Sequence, residues 1–156
     1  MEKYPMTPEG LRKLEGELKK LLEVDRPANV KAIEEARAHG DLSENAEYKY
    51  AKEQQSLIAS RIEHVGDRIS RAEVIDPSTL SGDYVVFGAK VLLEDLDTGE
   101  ELTYRIVGED EADIEQGTIS ISSPIARGLI KKEVGDEAKI RTPSGPRSFE
   151  IFDIEF

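Results

Sequence analysis

The sequence predicts an α+β protein, with a long antiparallel helical hairpin followed by a compact α+β domain. Three observations predict it. Apolar residues repeat at three/four spacing through the first half. Short β-branched and aromatic runs, punctuated by turn residues, fill the second half. The stretch "VIDPSTLSG" between them carries neither pattern. The expected boundaries are a hairpin over 1–75, a linker over 76–82 and a second domain over 83–156.

Thr7-Pro8 is a helix start, a capping hydroxyl followed by proline at the first helical position. Leu11, Leu14, Leu18 and Leu21 then form an a/d seam. Asp25 breaks that seam, and Pro27 removes a helical hydrogen bond. Val30, Ile33 and Arg37 resume the rhythm in a shifted register. This reads as one kinked helix ending near Gly40, or as two helices broken at Arg26-Pro27. A second helix is expected from about Ser43 to Glu73, on the seam Tyr48, Ala51, Gln55, Ile58, Ile62, Val65, Ile69 and Ala72. Arms of about 30 residues reach roughly 45 Å. Toward the turn the seam holds Ala, Tyr and Gln, so the far half is thinly packed. Length kept without a core suggests reach.

In the second half, "DYVVFGAKVLLEDL" and "ELTYRIVG" read as strands joined through "DTGE". "TISISS" alternates with period two, and Ser123-Pro124 opens a short helix. The chain closes in a hairpin turning at Pro143-Ser144-Gly145.

Composition narrows the function. The formal net charge is −12, and it is uneven. Residues 1–75 hold 13 Lys/Arg against 15 Asp/Glu, whereas residues 76–156 hold 8 against 18. Such a chain is a poor autonomous binder of nucleic acid, so any such contact is local or arranged by a partner. No apolar run approaches a membrane span, and the N-terminus has no signal pattern. With 0 cysteines there is no disulfide, thiolate metal site or thiol nucleophile, which fits a reducing compartment. No phosphate-binding glycine loop and no Ser/His/acid motif is present.

The stretch "ARAHGDLSENAEYKYA" contains Asp41 and Glu44, three residues apart just after a glycine. They fit a D-x-x-E capping box, with Gly40 as the left-handed terminator of the first helix. They equally fit a carboxylate pair on one helical face at the hairpin's far end. Two carboxylates are too few to hold Mg²⁺ alone, so a metal-handling pair would complete a site supplied by something else. Arg37, Lys49 and Lys52 are solvated cations or, against nucleic acid, phosphate contacts. Tyr48 and Tyr50 are hairpin packing or base-stacking groups. His39 and His64 have no ligand partner at useful spacing. Ser123, Pro124 and Ile125 form either an ordinary capped helix start or a protein-docking loop.

The stretch "AIEEARAHGDLSENAEYKYAKEQQ" resembles the hairpin tip of bacterial GreA-type transcript cleavage factors. "YRIVGEDEADIEQGTISISSPIARGLIKKEVGDEAKIRTPSG" resembles their C-terminal domain, so the likeness spans essentially the whole chain. It implies a coiled-coil hairpin with an acidic tip and an FK506-binding-protein-like domain. It further implies a cytoplasmic monomer that binds bacterial RNA polymerase. The second domain would dock at the secondary channel through Ser123, Pro124 and Ile125, and the hairpin would enter that channel. There Asp41 and Glu44 would share a Mg²⁺ with the polymerase and stimulate its cleavage of the nascent RNA 3′ end after backtracking. Arg37 and Lys52 match the basic positions facing that RNA. The factor would thus act through the polymerase's activity rather than as an enzyme.

Two rivals remain. One is a channel-binding inhibitor of the same fold, although "GDLSEN" matches the cleavage-promoting pattern. The other is an autonomous prolyl isomerase, for which the second half shows no aromatic-lined pocket. The likeness departs at Lys131, where the family pattern has glycine after "ARGLI".

Overall fold

The computed structural model describes residues 2–41 and 45–156. It is α+β, and its contacts separate two compact units, Arg12–Arg71 and Met1–Leu11 with Ala72–Phe156.

The helical unit is an antiparallel hairpin. Its first arm comprises α1 (Pro8–Lys20), a π-helical turn (Leu21–Asp25) and α2 (Arg26–Arg37); its second is α3 (Ala46–Ser70). Cross-links run in opposite chain directions. Arg61 donates to Glu17 through Nε and Nη2, at 2.5 and 2.9 Å. Asn29 Nδ2 donates to Ala51 O at 2.9 Å, and Asn45 Nδ2 to Ala36 O at 2.6 Å. Buried Leu14, Leu21, Ile33, Ala36, Ala51 and Val65 lie along the arms.

The first arm neither breaks nor stops at Pro27. Asp25 and Arg26 stay in the right-handed helical region, and Arg26 N–H reaches back to Leu21 O. The π turn absorbs the bond and space that proline denies an ordinary helix. It also corrects the expected seam. Continuing the rhythm of Leu14 and Leu21 would bring Ala28, Ala32 and Glu35 inward. One inserted residue brings Asn29, Ile33 and Ala36 inward instead, while Val30 is 47% exposed. Among these, Asn29 is a buried polar group satisfied by the Ala51 carbonyl.

The second arm is shorter at both ends than its periodicity predicts. It begins at Ala46 and stops at Ser70, because Ala72–Val74 become strand β2. That strand pairs in parallel with β1 (Tyr4–Met6). Thr7, beyond β1, starts α1 as expected, its hydroxyl accepting from Gly10 N–H at 3.1 Å. Glu111 grips the same residue. Its carboxylate accepts from Thr7 N at 2.9 Å, from the Thr7 hydroxyl, and from Gly108 N at 3.1 Å. Gly108 is needed there, since a Cβ would lie 2.5 Å from Pro5 O. These bonds place the first residues of the chain with its C-terminal part.

That part holds a five-stranded sheet in the order β5-β4-β3-β7-β6. The strands are β3 (Lys90–Asp95), β4 (Glu101–Val107), β5 (Thr118–Ser120), β6 (Glu137–Thr142) and β7 (Gly145–Glu155). The β4/β5 pair is parallel and the other pairs are antiparallel. Inward-facing Val91, Leu93, Ile106, Ala138, Ile140, Phe149 and Ile151 form the core with Ala126 and Leu129 of α4 (Pro124–Leu129). The closing turn falls at Pro143-Ser144, as expected. The first expected strand is shortened to β3. Positive φ at Gly88 ends the extended run, and Val85 instead bonds to Lys131 and Lys132. Phe152 sits at a bulge opposite Leu92/Leu93 and is 42% exposed.

The departure at Lys131 acquires a physical meaning. Lys131 has φ +70° and is the one non-glycine with positive φ among the described residues. Left-handed backbone costs a residue with a Cβ about 1–2 kcal/mol, which is why glycine suits the position.

Asp95 closes the β3–β4 turn with its carboxyl almost fully buried. It accepts from Asp97 N at 2.9 Å, Thr98 N at 3.3 Å and Arg147 Nη2 at 2.9 Å. The Arg147 bond, helped by the Asp97 amide, holds its carboxyl below the ordinary value of 3.8. A lowered folded-state pKa stabilises the fold above pH 3.8, and this stabilisation is lost as pH falls through the folded-state value. Urea titrations at descending pH should therefore show an acid-side fall in stability that is shallower in Asp95→Asn. Identical slopes would remove Asp95 from the account.

Candidate functional site

The hairpin tip is built from the last turn of α2, a connection, and the first turn of α3. Ala36 ends the buried seam of the first arm. His39 N–H bonds to Ala36 O and Gly40 N–H to Arg37 O, both at 3.2 Å. Gly40 has φ +102°, so the expected glycine terminator is present. Asp41 follows and is exposed. Glu44, the other half of the expected pair, lies outside the described residues, as does Ser43.

The expected D-x-x-E capping box is corrected. The residue that caps α3 is Asn45, in extended conformation, with Oδ1 accepting from Tyr48 N at 3.0 Å. Its Nδ2 donates to Ala36 O. Aspartate and serine also cap helices, but an aspartate carboxylate has no donor to offer the carbonyl across the tip. An asparagine directly before a helical seam was the visible signal, obscured by two better-known cap types just upstream.

The basic residues divide. Arg37 ends α2 with its guanidinium 6.0 Å from the Tyr48 ring centroid, a cation–π pair across the tip. Lys52 is exposed on α3 and donates to Gln55 Oε1 at 2.7 Å. Tyr48 is thus half-buried packing, whereas Tyr50 is 63% exposed. His39 Nε2 lies 3.7 Å from Glu47 Oε2, so the unassigned histidine has an acidic neighbour. Below the tip, an open groove of about 580 Å³ runs past Ala28, Ala32, Ala36, Ala51 and Gln54. This matches the thin packing expected of that half.

Two carboxylates, Asp41 and Glu44, would make at most a partial Mg²⁺ site. Among the described residues no group of three or more His, Cys, Asp or Glu could hold a metal ion. Asp41 and Glu44 would supply hard carboxylate oxygens, the donor type Mg²⁺ prefers, but not a full shell. Their chemistry therefore suits an ion held jointly with a partner.

In the second unit, the Ser123 hydroxyl caps α4 by accepting from Ala126 N at 3.2 Å. Pro124 is exposed, but Ile125 packs partly buried against the core cluster. Of the three expected docking residues, Pro124 alone offers an exposed apolar side chain.

Comparison with known proteins covers nearly the whole chain. Residues 4–74 match the family profile described as "Transcription elongation factor, N-terminal". Residues 80–156 match "Transcription elongation factor, GreA/GreB, C-term". A protein described as "Transcription elongation factor GreA" from Jannaschia sp. (strain CCS1) is 60% identical over 156 residues, 100% of this chain and 99% of that one. Another with the same description, from Hyphomonas neptunium (strain ATCC 15444), is 56% identical over the same shares. Among solved structures, GreA factor homolog 1 (Gfh1) of Thermus thermophilus is 28% identical, covers 99% of both chains and superposes with a TM-score of 0.45.

Proposed function

Because this chain belongs to the GreA/GreB family of transcription elongation factors, we propose that it rescues backtracked bacterial RNA polymerase by stimulating the polymerase's own RNA cleavage. The full-length likeness to GreA factors carries this reading. Two carboxylates, Asp41 and Glu44, are too few to hold Mg²⁺ alone, which agrees with a site completed by a partner.

The hairpin suits insertion into the polymerase secondary channel. Its α3 arm has 25 residues, roughly 37 Å at about 1.5 Å each. At its end Asp41 and Glu44 contribute carboxylate oxygens to a Mg²⁺ shared with the polymerase. When bound, that ion supplies an activated water and neutralises charge developing on the phosphodiester. Arg37 and Lys52 attract the backbone of the extruded RNA 3′ end. Pro124 anchors the second unit at the channel rim. As a partner of RNA polymerase the protein works in the cytoplasm, as a monomer.

The test is addition of the protein to a stalled, backtracked polymerase complex with 3′-labelled RNA. Release of short 3′ fragments and resumed elongation are expected, with no cleavage of naked RNA. A slowed polymerase without fragment release would instead support the inhibitor reading.

A further inference from the structure

We propose that the groove below the hairpin tip is a docking site for one amphipathic α-helix of the polymerase, apolar on its inserted face and basic along its flanks. The partner's identity rests on the function proposed above. The groove lies wholly within the helical unit. One wall is a stripe on the first arm, Asp25, Ala28, Ala32 and Glu35, at steps of three, four and three. The other is Glu47, Tyr50, Gln54 and Ile58 on α3, again at helical spacing. The first stripe is not the packed seam of its arm, which beyond the π turn runs through Asn29, Ile33 and Ala36. Two helices thus present three/four stripes side by side, the surface against which a third helix packs in a bundle.

Three features define that helix. Ala28 and Ala32 are exposed, so their wall is low and a partner axis can come as near as about 8 Å. Tyr50 is 63% exposed and Ile58 half-buried, so the opposite wall offers apolar area to cover. Asp25, Glu35 and Glu47 line the groove with no Lys or Arg among the described lining residues, so it attracts a cationic flank. The chain's own cations stand off from these acids: Lys20 is 3.9 Å from Asp25, Lys31 4.0 Å from Glu35 and His39 3.7 Å from Glu47. Largely exposed pairs this long contribute little and exchange readily. From Asp25 to Glu35 the wall spans roughly 15 Å at about 1.5 Å per residue, room for about ten residues of partner helix. The same acids repel RNA phosphates, and they repel the equally acidic groove of a second copy.

Bulk and charge test the groove separately. Ala32→Trp fills it from an exposed position, and Glu34→Trp puts the same bulk on another flank of α2, outside it. Melting followed by circular dichroism should match wild type in both. Ala32→Trp should raise about tenfold the factor concentration that half-saturates a backtracked polymerase complex, and Glu34→Trp less than about twofold. The double variant Glu35→Lys, Glu47→Lys should raise it comparably at low salt, with the difference narrowing as salt screens the contact. With p-benzoylphenylalanine at position 50, light should crosslink the factor to one helical segment of a polymerase subunit that carries Lys or Arg beside apolar residues. The same group at position 34 should miss that segment. Equal effects of bulk at positions 32 and 34 would overturn the proposal. So would a position-50 crosslink to RNA, to a second copy of the chain or to a non-helical segment, or no crosslink at all. Fragment release by the wild type is scored on its own. If polymerase binds and no fragment appears, the cleavage reading fails, while binding and crosslinks still judge the groove.

Discussion

An Asp41→Asn variant should lose stimulated RNA cleavage by roughly 100-fold or more, while folding and polymerase binding stay at wild-type level. Removing one carboxylate from a shared metal removes several kcal/mol of charge stabilisation, and each 1.4 kcal/mol is about tenfold in rate. The fold is spared because the α3 cap is Asn45, so substitution at position 41 leaves both capping bonds in place. The measurement is fragment release from a backtracked complex across a Mg²⁺ titration, with binding followed by competition. Undiminished cleavage at limiting Mg²⁺ would refute a ligand role for Asp41.

The largest stability effect is expected at Phe149. Its side chain is fully buried on β7, in the cluster with Leu93, Ile106 and Ile151. The Arg147 guanidinium lies 4.8 Å from its ring centroid while also bonding to Asp95. Phe149→Ala should cost about 3–5 kcal/mol, the transfer loss of the ring plus the cavity it leaves. It also removes the surface on which Arg147 is steadied, weakening the Asp95 turn. Chemical denaturation should report the loss as a lower midpoint with unchanged slope. A shift below about 1 kcal/mol would mean the sheet recloses around the gap. Arg147→Lys, which keeps charge but not the planar fork, should reproduce only the turn component.

What could be read in advance followed the strength of the periodic signals. Leu14, Leu21, Ala51 and Val65 were legible because a three/four seam leaves little choice of face. The β-branched and aromatic runs likewise marked the stretches that hold β3 and β4, but not which of their side chains face the core. Asn29 and the second bond of Asn45 were illegible because they depend on carbonyls distant in sequence, Ala51 and Ala36, that no local pattern names. Glu111 was hidden for the same reason, since its partner Thr7 lies 104 residues away. The end of α3 was misplaced because Ala72 continues the helical rhythm and yet pairs with Tyr4 as strand. Asp41 was legible as a candidate from its neighbours alone, but its relation to the helix start was not.

The π turn at Leu21–Asp25 works as a phase shifter. One extra residue advances everything beyond it by about 100° of helical rotation relative to the leucines before it. Near and far sections of the same arm therefore answer to independent templates. The near section is tuned for adhesion by Leu14 and Leu21, the far section for slenderness by Asn29, Ile33 and Ala36. Without the offset, Glu35 would turn into the seam and its charge would be lost from the outside of the probe. One continuous arm thus turns leucines inward in its near section and smaller or polar groups in its far section, with Pro27 standing just past the offset.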